Sequence, residues 1–115
     1  MAKTYAEIPG GMKLLVMGLG LCMASDRITV DGEPVRFMYR DEPDMEGDSG
    51  WRFTAGDESQ DYMDDETHHG VFDVNVIANY DPDIIPHLKA PVGSAFERAA
   101  ADEAFEAVTG FDPRA

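Results

Sequence analysis

The sequence predicts an α+β fold: a small antiparallel sheet of about four to five strands, packed with short helices and a C-terminal helix. Three observations carry this expectation. Leu14 to Ala24 is a continuous apolar run of the kind found in strands buried on both faces. Val35–Arg40 and Trp51–Ala55 each alternate in character with the two-residue period of a half-buried strand. Helix signals gather only after residue 73, so strands precede helices instead of alternating with them. At 115 residues the whole chain, 1–115, has the length of one domain with one modest core.

Taken in order, the first eleven residues carry Pro9, Gly10 and Gly11 and read as a loose lead-in. The buried strand follows, interrupted by Gly18 and Gly20. Asp31-Gly32 is a tight-turn signal between Ile28–Val30 and Val35–Arg40. In the second of these segments Val35, Phe37 and Tyr39 alternate with Arg36, Met38 and Arg40. In the next strand Trp51, Phe53 and Ala55 alternate with Arg52 and Thr54. Phe37, Tyr39, Trp51 and Phe53 are therefore expected to form one structural core on the sheet, with Arg36, Arg40 and Arg52 on its opposite face. Asp41–Gly50 and Asp57–Glu66 read as acidic loops. Asp73 is placed to cap a helix over Val74–Asn79, and Asp81-Pro82 to start another. Ser94 and Glu97 have capping-box spacing, and an Ala-rich stretch then runs to Thr109 and a Gly110 stop, which predicts the final helix.

Composition excludes more than it selects. The net charge of −14 argues against nucleic acid or an anionic membrane as partner, because phosphate contacts need clustered Lys and Arg. It suits a partner with a basic surface, or serves only solubility. Met12–Met23 is too short to span a bilayer. Leu21 stands before Cys22 where a lipoprotein cleavage site wants a small residue, and Glu7 and Pro9 replace a basic leader, so a cytoplasmic location is expected. The single Cys22 reads as a small buried hydrophobe.

The motifs that suggest chemistry fail on their own requirements. Gly47-Asp48-Ser49-Gly50 matches the surroundings of a serine-protease nucleophile, but all three histidines follow Ser49 and the chain is too short for two barrels. His68 and His69 are adjacent, so they diverge instead of chelating one ion. Asp44, Glu46 and Asp48 imitate a calcium loop until its sixth and twelfth positions, which are Ser49 and Ala55. Gly18-Leu19-Gly20 lacks the third glycine of a dinucleotide fingerprint. With 23 acids, paired carboxylates arise by chance. No cofactor, metal site or enzyme activity is expected. Arg36, Arg40 and Arg52 admit two roles: tethers for the acidic loops, or anchors for an anionic ligand.

Several blocks in order resemble one bacterial family. They are Cys22–Ile28, Val35–Arg40, Asp48–Ser59, Tyr62–Asp64, Asn79–Pro86 and Pro91–Arg98, with the Asp-Ser-Gly-Trp-Arg-Phe string at 48–53 the most specific. The chain is similar over residues 20–98 to a domain first catalogued without a function and later placed among the immunity proteins of polymorphic toxin systems, the thirty-third in that series. The resemblance implies a small α+β domain, no catalysis, and binding to a toxin domain.

The expected partner surface is the two acidic loops, through Asp41, Glu42, Asp44, Glu46, Asp57, Glu58, Asp61, Tyr62, Asp64 and Asp65. Residues 41–66 hold eleven of the 23 acids and only Arg52 as a base. Tyr62 is the aromatic hot-spot candidate. Two alternatives remain: a regulatory interaction domain with another partner, or a small ligand-binding domain or enzyme with a site between sheet and loops, lined by Asp48, Trp51, Arg52 and Glu58.

Overall fold

The computed structural model describes residues 3–112. Among them six strands form one sheet: β1 Leu21–Ser25, β2 Phe37–Arg40, β3 Asp48–Thr54, β4 His69–Asp73, β5 Ala95–Glu97 and β6 Glu106–Ala107. The strand order is β4-β1-β3-β2-β5-β6. Three short α-helices, α1 Asp26–Thr29, α2 Gln60–Asp64 and α3 Val74–Tyr80, are joined by 3-10 helices at Glu66–His68 and Pro82–His87. The fold is α+β, but the sheet is mixed. β1 lies parallel to β3, and the other neighbouring pairs are antiparallel.

The parallel pair has a local cause. Ile28 and Thr29 are helical and Val30 caps α1, so Asp31-Gly32 closes a helix instead of turning a hairpin. Gly32 takes the left-handed conformation at φ 76°, and its N–H donates to the Ile28 carbonyl at 3.2 Å. The chain leaving α1 then passes over one strand position and forms β2 two places from β1, leaving β3 to pair between them.

One face of the sheet holds the core. Cys22, Ala24, Met38, Trp51 and Phe53 are buried there against Ile28, Val74, Ile77 and Ile84 from the helices. Trp51 is 1% exposed, stacks on Phe53 with ring centroids 6.0 Å apart, and donates its indole N–H to the Leu88 carbonyl at 3.1 Å. Phe37 and Tyr39 do not join them. The antiparallel register pairs Tyr39 with Arg52 and Met38 with Phe53, so Met38 points into the core and Phe37 and Tyr39 point to the opposite face. There they pack on Phe111 at 5.2 and 5.1 Å.

The lead-in and the C-terminal segment also depart from expectation. The strand begins only at Leu21, because Gly18 and Gly20 have positive φ and bend the chain. The backbone before them is held by side chains instead of a ladder. Asn75 and Asn79, one turn apart on α3, accept from the N–H groups of Lys13, Leu15 and Val16 and donate to the Lys13 carbonyl, at 2.8–3.1 Å. Leu14 and Met17 consequently face solvent.

Where a final helix was expected, the chain forms β5, a turn and β6. Two long-range anchors outweigh the local Ala-rich propensity. The Arg98 guanidinium, 1% exposed, binds Asp81 at 2.6 Å and Asp83 at 2.8 Å, and its Nε–H donates to the Val35 carbonyl. The backbone N–H of Arg98 donates to the Arg36 carbonyl, which extends the ladder on β2. The two caps read from sequence are present. Asp73 accepts from Asn75 N–H at 2.9 Å at the start of α3, and Asp81 caps the 3-10 helix that opens with Pro82.

Replacing Trp51 with Ala removes the largest core side chain and orphans the Leu88 carbonyl. It is expected to cost about 3–5 kcal/mol in urea unfolding. A loss below about 1 kcal/mol would contradict this core assignment.

Candidate functional site

Because β3 is buried on both faces, its even-numbered side chains decide the character of the non-core face. Asp48 and Arg52 lie on it four residues apart. The Arg52 guanidinium grips Asp48 through two bonds, at 3.0 and 2.8 Å, and reaches Asp44 at 3.4 Å. Both members of the main pair are nearly inaccessible, Arg52 at 9% and Asp48 at 8%. Hydrogen bonding from Arg52 holds the Asp48 carboxyl well below the usual carboxylate range. Asp48 also accepts from the N–H groups of Asp44 and Gly50, each at 2.9 Å. One carboxylate thus fixes the end of the first acidic loop to the central strand.

Gly50 is required where that loop meets the sheet. Its φ is 87°, and a Cβ there would strike the Asp41 carbonyl oxygen. The Asp41 N–H donates to the Gly50 carbonyl at 2.8 Å.

The second acidic segment is not a loop throughout. Ser59 caps α2 by accepting from Tyr62 N–H, and Asp65 caps the following 3-10 helix by accepting from Thr67 N–H. Its start is tied inward. Asp57 binds Arg27 at 2.7 Å and Arg36 at 3.3 Å, and the Arg27 bond lowers its pKa. Glu58 accepts from the N–H groups of Ala55 and Gly56. Asp61, Asp64 and Asp65 are exposed.

The histidines are engaged locally. A ring nitrogen of His68 lies 3.1 Å from the Tyr62 carbonyl and one of His69 lies 3.1 Å from that of Met63. Tyr62 stacks on His68 with centroids 4.0 Å apart. No group of three or more His, Cys, Asp or Glu side chains is placed to hold a metal ion among the described residues. Cys22 sits in the core, where burial pushes its thiol up to about 12, so it is not a thiolate at neutral pH.

The three arginines read from sequence take different places. Arg52 is on the open face with Asp48. Arg36 binds Asp57 and the Ala55 carbonyl. Arg40 stands beside Trp51, 5.8 Å from its ring, and donates to the Ser49 and Ala90 carbonyls at 2.9 and 2.7 Å. The supposition that Asp48, Trp51, Arg52 and Glu58 line one pocket fails, because Trp51 faces the core.

What lies on the open face instead is a groove of about 540 Å³ between the sheet and α2. Tyr39, Arg52 and Thr54 form its floor, with Met63, Glu66 and Val71 at its side. Sequence reasoning missed the apolar members of this face. Leu21 and Met23 belong to a run that looks buried throughout, yet strand alternation turns them outward from Cys22 and Ala24. Val71 stands opposite Met23 in the β1–β4 pairing and belongs to the same face.

No helix among the described residues is long and apolar enough to cross a membrane. A family model described as the Immunity protein Imm33 domain matches residues 22–109. No curated protein and no solved structure matches the chain.

Asp48→Asn leaves Arg52 buried with half its partner and is expected to cost about 3 kcal/mol in urea unfolding. A carboxylate held below its unfolded pKa contributes stability above about pH 4 and loses it as pH falls through the depressed value. The wild type should therefore lose stability between about pH 4 and 2 more steeply than the variant. Parallel acid curves would contradict the clamp.

Proposed function

This chain belongs to the Imm33 immunity-protein family, and from that membership we propose that it neutralises a cognate toxin by binding it, without catalysis of its own. The observation that carries the proposal beyond family membership is the acidic surface built on residues 41–66. Some of its carboxylates hold it in place and others face solvent. Asp48, Asp57 and Glu58 are spent on holding the segment in place, and Glu42, Glu46, Asp61, Asp64 and Asp65 are exposed. A fixed acidic rim attracts a basic toxin surface over roughly 8 Å at physiological salt and speeds encounter without the entropic cost of ordering a loose loop. Asp41, Asp44 and Tyr62 lie along the same segment and belong to the proposed contact set.

The direct test is co-expression. Toxin domains encoded beside this gene are expressed with and without the chain, and restored growth together with a purified complex supports the proposal. Failure to suppress any of them would return the acidic face to the alternative of a regulatory interaction with another partner.

Reversing Asp61, Asp64 and Asp65 to Lys together is expected to slow association at least about tenfold at low salt and to flatten its salt dependence. Thermal stability should stay unchanged or rise, because like charges are relieved. Unaltered association kinetics in stopped flow would move the interface elsewhere.

A further inference from the structure

The open face of the sheet carries an apolar patch that no element of the described chain covers. Leu21 and Met23 on β1, Val71 on β4 and Met45 in the first acidic loop are 36%, 38%, 57% and 63% exposed. All four border one concavity with Asp44, Asp48 and Arg52. Met23, Arg52 and Val71 also line the larger groove beneath α2, so the two depressions are neighbours that share these walls. One acidic segment reaches this face through Asp44 and Asp48, and the other through Glu66. The arrangement is that of a protein interface: an apolar centre with a charged rim.

The groove also states what it would receive. Three carboxylates, Asp44, Asp48 and Glu66, line the two depressions, and the Arg52 guanidinium is already committed to Asp48. The surplus is negative. Tyr39 offers an aromatic ring on the floor, a surface that favours a cation. A second copy of the chain is a poor occupant, since each copy brings a net charge of −14 and the same carboxylate rim. Nucleic acid is repelled for the same reason.

Resting on the toxin-binding reading above, we infer that the open sheet face is the centre of the toxin interface, and that the groove between β3 and α2 receives a Lys or Arg side chain carried on an apolar segment of the toxin. The acidic rim governs how fast the partners meet. The patch and groove govern how long they stay together.

The probe is the toxin domain that the wild-type chain neutralises in co-expression, with association and dissociation measured separately by surface plasmon resonance at two salt concentrations. Met23→Gln with Val71→Gln removes apolar contact without changing charge. This double variant is expected to release the toxin at least about tenfold faster, with association rate and salt dependence unchanged. Glu66→Gln alone should also speed release, and Met23→Leu with Val71→Ile should bind like wild type. Urea unfolding of each variant reports folding, and if the double variant does not fold, Glu66→Gln decides.

Unchanged dissociation in the folded variants overturns the inference and leaves toxin binding intact. If the wild-type chain neutralises no toxin, both fall. A concentration-dependent dimer in sedimentation, lost in the double variant, would instead assign the face to self-association and overturn the inference.

Discussion

The buried ion pair between Arg52 and Asp48 is the constraint from which the rest of the proposed site follows. Burying a charge pair does little for stability on balance, because desolvation consumes most of the Coulombic gain. Its value here is positional. Arg52 projects from the central strand, and Asp48 at the start of that strand receives both its bonds, the Asp44 N–H from the preceding loop and the Gly50 N–H from within the strand. The acidic loop is thereby fixed at the edge of the sheet's open face. Without that pair, the mutual repulsion of the loop's remaining carboxylates would be resisted by neutral ties such as the Asp41 N–H bond to the Gly50 carbonyl.

The pairing register makes such a site possible. β2 and β3 align odd-numbered residues with even-numbered ones, so Tyr39 stands opposite Arg52 and Arg40 opposite Trp51. One face then collects Trp51, Phe53 and Met38 into a dry core. The other receives Phe37, Tyr39 and Arg52. A slip of one residue would put Tyr39 beside Trp51 and expose Met38. The chain reinforces the register from outside the pair through Gly93 and Arg98. The Gly93 N–H donates to the Arg40 carbonyl at 2.7 Å, and the Arg98 N–H to the Arg36 carbonyl at 3.0 Å.

What was legible in the sequence follows from how local each signal is. The caps at Asp73 and Asp81 depend on side chains two residues from the groups they satisfy, and they can be read directly. The strand character of 37–40 and 51–54 is local as well. Register between strands is not, which is why Phe37 and Tyr39 were expected on the wrong face. The C-terminal segment misleads for the same reason: its Ala content favours helix by propensity, but Arg98 is committed to Asp81, 17 residues upstream. The apolar lead-in misleads because its backbone partners, Asn75 and Asn79, are some sixty residues away in sequence. The acidic character of the candidate site was plain from composition. Its apolar centre was hidden, since outward-facing Leu21 and Met23 look no different in sequence from the buried residues between them.

Hydrogen–deuterium exchange tests most directly whether the Arg52–Asp48 pair positions the acidic loop. Amide exchange across residues 41–50 is compared in the wild type and in Arg52→Gln. The Asp44 and Gly50 amides, whose acceptor is the Asp48 carboxylate, should exchange at least about tenfold faster in the variant, while the core amides of Phe53 and Ile77 keep their protection. Equal loop protection in both proteins would show that the loop is held by something other than this pair.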